Sequence, residues 1–160
     1  MQWMIYGANG YTGELIAREA KARGLSPVLA GRSAEKIGPL ARELGLENRI
    51  FPIGDAREIA GHLDGIGLVL HCAGPFSATS APMIDACLAA KAHYLDIAGE
   101  ISVFEHAHAQ NERAEKAGVV VCPGVGFDVI PTDCVAAKLR TPAISSISDS
   151  TSELRNSDER

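Results

Sequence analysis

Six short apolar runs recur along the chain, each followed by a segment with helical spacing. This alternation limits the fold more than any other feature. The runs are "WMIY" (3–6), "SPVLAGR" (26–32), "RIFPIGD" (49–55), "IGLVLHCAG" (66–74), "HYLDIAG" (93–99) and "VVVCPG" (119–124). Strands this short, alternating with helices, require a parallel sheet covered on both faces. Right-handed crossovers then give a doubly wound α/β domain of about six mostly parallel strands, with the expected order 3-2-1-4-5-6.

The intervening segments carry their own punctuation. "TGELIAREAKARG" places Leu15, Ile16, Glu19 and Ala20 at helical spacing and stops at Gly24. In "SAEKIGPLARELGL", Ser33 is the expected N-cap, Glu35 and Glu43 face water, and Gly38-Pro39 should kink or divide the helix. Pro52 places the third strand near an edge. "AREIAGHLDG" reads as a short helix, and "SAPMIDACLAAKA" as a helix with Pro82 near its start. "ISVFEHAHAQNERAEKAG" reads as one long helix ending at Gly118, and "PTDCVAAKLR" as a last helix entered at Pro131. Residues 141–160 are dense in serine and charge, which predicts a flexible tail. The rival is a short strand around Ile144 to Ile147.

Composition excludes several classes. The 160 residues suit one domain, and 46% hydrophobic content supports a core. A formal charge of −5 argues against nonspecific nucleic-acid binding. No apolar run reaches the roughly 20 residues that span a bilayer, and the N-terminus has no basic region before an apolar signal segment, so a cytoplasmic location is expected. Cys72, Cys87, Cys122 and Cys134 form no CxxC pair and are expected to be buried, reduced thiols.

The chemistry concentrates at the ends of the apolar runs. Gly7, Gly10 and Gly13 lie between the first run and the first helix, spaced as G-x-x-G-x-x-G. There the first glycine permits a tight turn, the second the approach of a pyrophosphate, and the third close helix–sheet packing. Backbone N–H groups from about Thr12 onward supply donors and the positive helix end, with Asn9 and Thr12 adding side-chain hydrogen bonds. No Gly-Lys-Ser/Thr follows, so a P-loop fits poorly. The second run ends in Gly31-Arg32-Ser33, where an NAD site usually presents Asp or Glu. Arg32 can pair with a 2′-phosphate and lie over the adenine, and Ser33 can donate to the same phosphate. The expected cofactor is therefore NADP(H). Asp55 can accept from the adenine amino group or serve as a helix N-cap. Cys72, Ala73, Gly74 and Pro75 follow the fourth run at the crevice where such sheets bind ligands, and should approach the nicotinamide-side ribose.

"YGANGYTGELIARE", "VLAGRSAEKI", "VLHCAGPFS", "HYLDIAGE" and "PGVGFDVIPTD" together resemble the saccharopine dehydrogenase-like oxidoreductases, nearest to the branch that includes trans-acting enoyl reductases. The resemblance runs from about residue 2 to residue 140. It implies a Rossmann-type domain over 1–140 that binds NADP(H), with cofactor roles on Gly7, Gly10, Gly13, Arg32 and the Cys72 to Pro75 turn. It also implies hydride transfer to a C=N, C=O or polarised C=C group. Relatives continue into a second, substrate-handling domain, and residues 141–160 do not resemble its beginning. A truncated product, a shortened reading frame and a natural single-domain protein are each compatible with this.

No proton donor is legible. Tyr6, Tyr11 and Tyr94 are followed four residues on by Gly10, Leu15 and Ala98, not by the lysine of a short-chain reductase. Tyr11, in the glycine loop and sharing its cofactor contacts, and Asp128 can face the crevice; loop packing and turn duty are their structural alternatives. His71 is expected to be a core histidine bonded to backbone. His106 and His108 point to different helix faces, and no metal site is expected. A non-catalytic dinucleotide-binding module or redox sensor is the alternative to a reductase. Open sheet ends suggest self-association, most simply as a homodimer.

Overall fold

The computed structural model describes residues 1–126 and 129–139. Residues 1–126 form one compact unit. Six parallel strands, β1 (Gln2–Tyr6), β2 (Val28–Gly31), β3 (Asn48–Ile50), β4 (Ile66–His71), β5 (His93–Asp96) and β6 (Val121–Cys122), pair in the order β3-β2-β1-β4-β5-β6. This is the expected 3-2-1-4-5-6 order. The direction of strand addition reverses between β1 and β4, where Tyr6 pairs with His71, and a crevice opens at their C-terminal ends.

Alternation within the strands divides the core. Ile5 and Leu29 point to one face and pack with Ala17, Ile37, Leu40 and Ala41 of α1 (Tyr11–Ala22) and α2 (Ala34–Leu44). Met4, Tyr6, Val28, Val69 and Tyr94 point to the other. That face is covered by α3 (Ala56–Gly61), α4 (Phe76–Ala90), α5 (Ile101–Ala109) and α6 (Asn111–Ala117). Residues 130–139 are helical, in the second unit.

Four local expectations are corrected. Pro39 sits inside an undivided α2. Pro39 and Glu35, four residues before it, are both exposed, so the carbonyl that loses its donor is hydrated while Ile37, Leu40 and Ala41 hold the buried face. The fourth helix begins at Phe76, well before Pro82, which lies within it. The long segment 101–118 is two helices: Gln110, at φ −87° and ψ 2°, ends α5 and opens α6. Its side chain donates to His106 O and accepts from Arg113, stabilising the break. Finally, only Cys87 is fully buried; Cys72 is intermediate, while Cys122, at the end of the edge strand β6, and Cys134 are exposed. All four are free thiols. The expectations for Asp128 and for 141–160 lie outside the described residues.

Candidate cofactor site

The turn after β1 is built so that two glycines are obligatory. Gly7 has φ +83°, and a Cβ there would lie 2.9 Å from Ala73 N and Cβ, because the turns after β1 and β4 abut. A Cβ on Gly13 would run into Gly7 O and the Ala8 backbone. The turn is closed by Gly7 N donating to Ala30 O (2.8 Å) and Gly10 N to Gly7 O (2.9 Å). Gly10 is the N-cap of α1 and supplies no side chain to its N–H groups. Those donors remain available to a ligand.

An open cavity of about 580 Å³ lies over these strand ends. The turn after β1 contributes Gly7, Asn9 and Gly10; the end of β2 and the start of α2 contribute Gly31, Arg32, Ser33 and Lys36. Pro52 and Ile53 line one end, and Cys72 to Pro75 with Thr79 line the other. Nine of the residues singled out in the sequence are thus brought together: Gly7, Asn9, Gly10, Arg32, Ser33, Cys72, Ala73, Gly74 and Pro75. Gly13 is buried beneath, as the helix-packing glycine. Tyr11 is 84% exposed in the first turn of α1, beside exposed Thr12, and neither side chain lines the cavity. The loop-packing role considered for Tyr11 is therefore corrected: its ring projects into water from the outer side of the helix.

The helix ends bordering the crevice fall into two kinds. Asp55 caps α3, accepting from Arg57 N (2.8 Å) and Glu58 N (3.4 Å), so the capping alternative for this residue is the one observed. At α4, Phe76 N and Ser77 N donate to the two carboxylate oxygens of Glu100, at 3.0 and 2.8 Å. By contrast α1 and α2 have no side-chain cap; Ser33 occupies the N-cap position of α2 without bonding to its N–H groups. Carboxylates occupy the ends of α3 and α4, the latter also bordering the cavity through Pro75 and Thr79, while the ends of α1 and α2 keep their donors.

Lys36 and Thr79 were not singled out in the sequence. Lys36 lies in the first turn of α2 and Arg32 just before its N-cap, and both cations line the cavity beside Ser33. Neither takes part in the ion pairs formed by Arg18, Arg23, Arg113 and Lys116 among the described residues. Thr79 Oγ1 lies 2.7 Å from Ala73 O, 3.0 Å from Pro75 O and 3.0 Å from His71 Nε2. Its single proton goes to a carbonyl, so His71 Nε2–H donates to the hydroxyl. His71 is thus a core histidine, but its partner is a side chain rather than backbone.

Burial makes His71 neutral: with no exposure and with Tyr6, Phe76 and Tyr94 rings around it, its pKa is held down to about 4 from 6.5. The unfolded chain protonates this group first, so its contribution is complete above pH 6.5 and disappears as pH falls towards 4. The difference is worth about 3 kcal/mol over that window. Urea midpoints measured from pH 7 to pH 4 should fall more steeply in the unaltered protein than in H71Q; parallel curves would refute the assignment.

Two titratable groups that line the cavity, Cys72 and Tyr6, are not ready proton donors. Burial pushes the Cys72 thiol up to about 12. It also raises Tyr6, against the opposing Arg32 charge, and Tyr6 Oη donates to Phe51 O at 2.9 Å. Among the described residues, no group of three or more His, Cys, Asp or Glu side chains is placed to hold a metal ion, and no helix is long and apolar enough to cross a membrane.

Sequence comparison agrees with this geometry. The profile of the family described as saccharopine dehydrogenase NADP binding domain matches residues 3–122. The chain belongs to this family. It is an NADP-binding domain of the saccharopine dehydrogenase type, and its cofactor is NADP(H). A saccharopine dehydrogenase-like oxidoreductase of Rattus norvegicus is 33% identical over 153 residues, covering 82% of this chain and 35% of that protein. The trans-acting enoyl reductase of Mycobacterium bovis is 28% identical over 163 residues, covering 97% of this chain and 38% of that protein. The chain therefore spans about a third of the length of these relatives. Among solved structures, apo saccharopine dehydrogenase of Saccharomyces cerevisiae shares the fold at TM-score 0.68 and 15% identity, over 79% of this chain and 27% of that one.

Proposed function

We propose that the crevice between β1 and β4 holds NADP(H) in an extended pose along the strand ends. The diphosphate lies over Gly7 to Gly10 on the free N–H groups of α1. The 2′-phosphate lies at α2 among Arg32, Ser33 and Lys36, and the nicotinamide ribose reaches Cys72 to Pro75. Adenine then sits by Pro52 and Ile53, under the Arg32 guanidinium. The observation that carries this reading is the pair of uncapped helix ends, α1 and α2, opening on one cavity while Asp55 and Glu100 fill α3 and α4. In this reading Tyr11 and Thr12 contribute backbone donors, and Asp55 shapes the adenine end through its cap.

Bound NADPH would supply a hydride from nicotinamide C4 to a C=N, C=O or polarised C=C group. The chain's own part is to bind and orient that face. A second reading, a dinucleotide-binding module or redox sensor without turnover, is favoured by one observation: of the lining groups, Tyr6 and Cys72 are both held protonated and Tyr6 is already bonded. On the reductase reading, neither Tyr6 nor Cys72 is the proton donor. The same proposal assigns 1–140 to the cofactor domain and 141–160 to a tail, places the protein in the cytoplasm, and makes it a homodimer. Exposed Leu15 and Leu25 support self-association.

Thermal unfolding with saturating NADPH and NADH tests the cofactor pose. At 100 times Kd a ligand adds about 2.7 kcal/mol, so NADPH should raise Tm by roughly 5 °C or more. NADH at the same concentration should do much less. No shift with either cofactor would reject the pose. NADPH oxidation across carbonyl, imine and enoyl acceptors separates the reductase from the module.

A further inference from the structure

The turn between β4 and α4 is gripped from two sides. On the inner side Thr79 bonds Ala73 O or Pro75 O and rests on His71. On the outer side Glu100, 24 residues from Phe76, accepts from Phe76 N and Ser77 N with separate oxygens. Glu100 also starts α5: its carbonyl accepts from Val103 N and Phe104 N. The segment before it is fixed in turn, since Asp96 Oδ1 accepts from Ala98 N at 2.9 Å and from Gly124 N at 2.8 Å. One carboxylate thus references the turn after β4 to the frame of β5 and β6, yet Glu100 does not line the cavity.

We propose that Glu100 is a positioning residue for the nicotinamide half of the cofactor. This rests on the cofactor pose above. Two physical effects support it. The carboxylate fixes where Cys72 to Pro75 present their backbone to the ligand. It also occupies the α4 helix end, removing a rival anion site from the crevice, so the diphosphate goes to the uncapped α1 end. The adenine end, built from β2, α2 and the segment after β3, touches neither effect.

The test separates the two halves of the ligand. Full-length chain is titrated with NADP⁺ and with adenosine 2′,5′-bisphosphate, which lacks the nicotinamide half. E100A should weaken NADP⁺ binding about tenfold, as expected when binding must itself order a turn that is no longer held in place, and leave the bisphosphate within about twofold. E100Q retains one acceptor and should fall between; it also serves if E100A does not fold. A merely structural role would lower both affinities together, and that result, or unchanged NADP⁺ binding, overturns the proposal. Failure of the unaltered protein to bind either ligand would instead reject the cofactor pose on which the proposal rests.

Discussion

K36A should weaken NADPH binding about tenfold and leave NADH binding unchanged, whereas R32A should weaken both, NADPH by about 100-fold and NADH by only about threefold. The asymmetry follows from the two side chains in the proposed pose. Lys36 is a point charge at the start of α2 and can act only on the 2′-phosphate. Arg32 offers a planar fork to the same phosphate and a flat face to the adenine, so its loss also removes stacking that NADH uses. A charge-assisted hydrogen bond contributes about 1.5–3 kcal/mol, and each 1.4 kcal/mol is tenfold in affinity. Both cations are exposed, so the NADPH preference should also shrink as salt rises from 0.05 to about 0.5 M, when the screening length falls below roughly 5 Å. Isothermal titration of both nucleotides across the two variants decides the matter. Equal losses for NADPH and NADH in K36A would place the 2′-phosphate elsewhere.

The second large effect is expected at Asp96, which does not line the cavity. Its carboxylate is fully buried and accepts from Tyr94 Oη at 2.7 Å, Ala98 N at 2.9 Å and Gly124 N at 2.8 Å. Burial, then the neighbouring Asp96, keeps the Tyr94 hydroxyl protonated and able to donate. D96A leaves three buried donors without an acceptor, and should cost about 4 kcal/mol, lowering Tm by roughly 10 °C. D96N keeps acceptor oxygen for the backbone donors, and Tyr94 can rotate its hydroxyl to accept from the new amide, so it should cost less than half as much. Thermal melts of both variants check this. A D96A melt within about 2 °C of the unaltered protein would show that water replaces the carboxylate.

How much of this was legible in the sequence depends on how far apart the interacting residues lie. The glycine corner was readable because Gly7 and Gly13 constrain each other across a single turn. The strand order was readable because short parallel strands leave few topologies. Lys36 escaped notice although a cation in the first turn of the helix after Arg32 and Ser33 is a local signal. The start of α4 could not be found locally. Its cap comes from Glu100 in the next βα unit, so Pro82 remained as the nearest visible boundary sign. The break at Gln110 was likewise hidden, since nothing in "HAHAQNERA" is a helix breaker and the bend depends on the Gln110 side chain bonding both ways. Among the thiols, the exposure of Cys122 follows from β6 lying at the sheet edge, and composition carries no information about that.

Every side chain and backbone group that lines the cavity lies between Tyr6 and Thr79, in the first half of the chain. A ribosome making this protein therefore releases the whole cavity-lining set before Asp96, Glu100 and Gly124 emerge to brace it. The nascent chain can meet its coenzyme early, but the turn after β4 acquires its outer grip only when the fifth βα unit has docked.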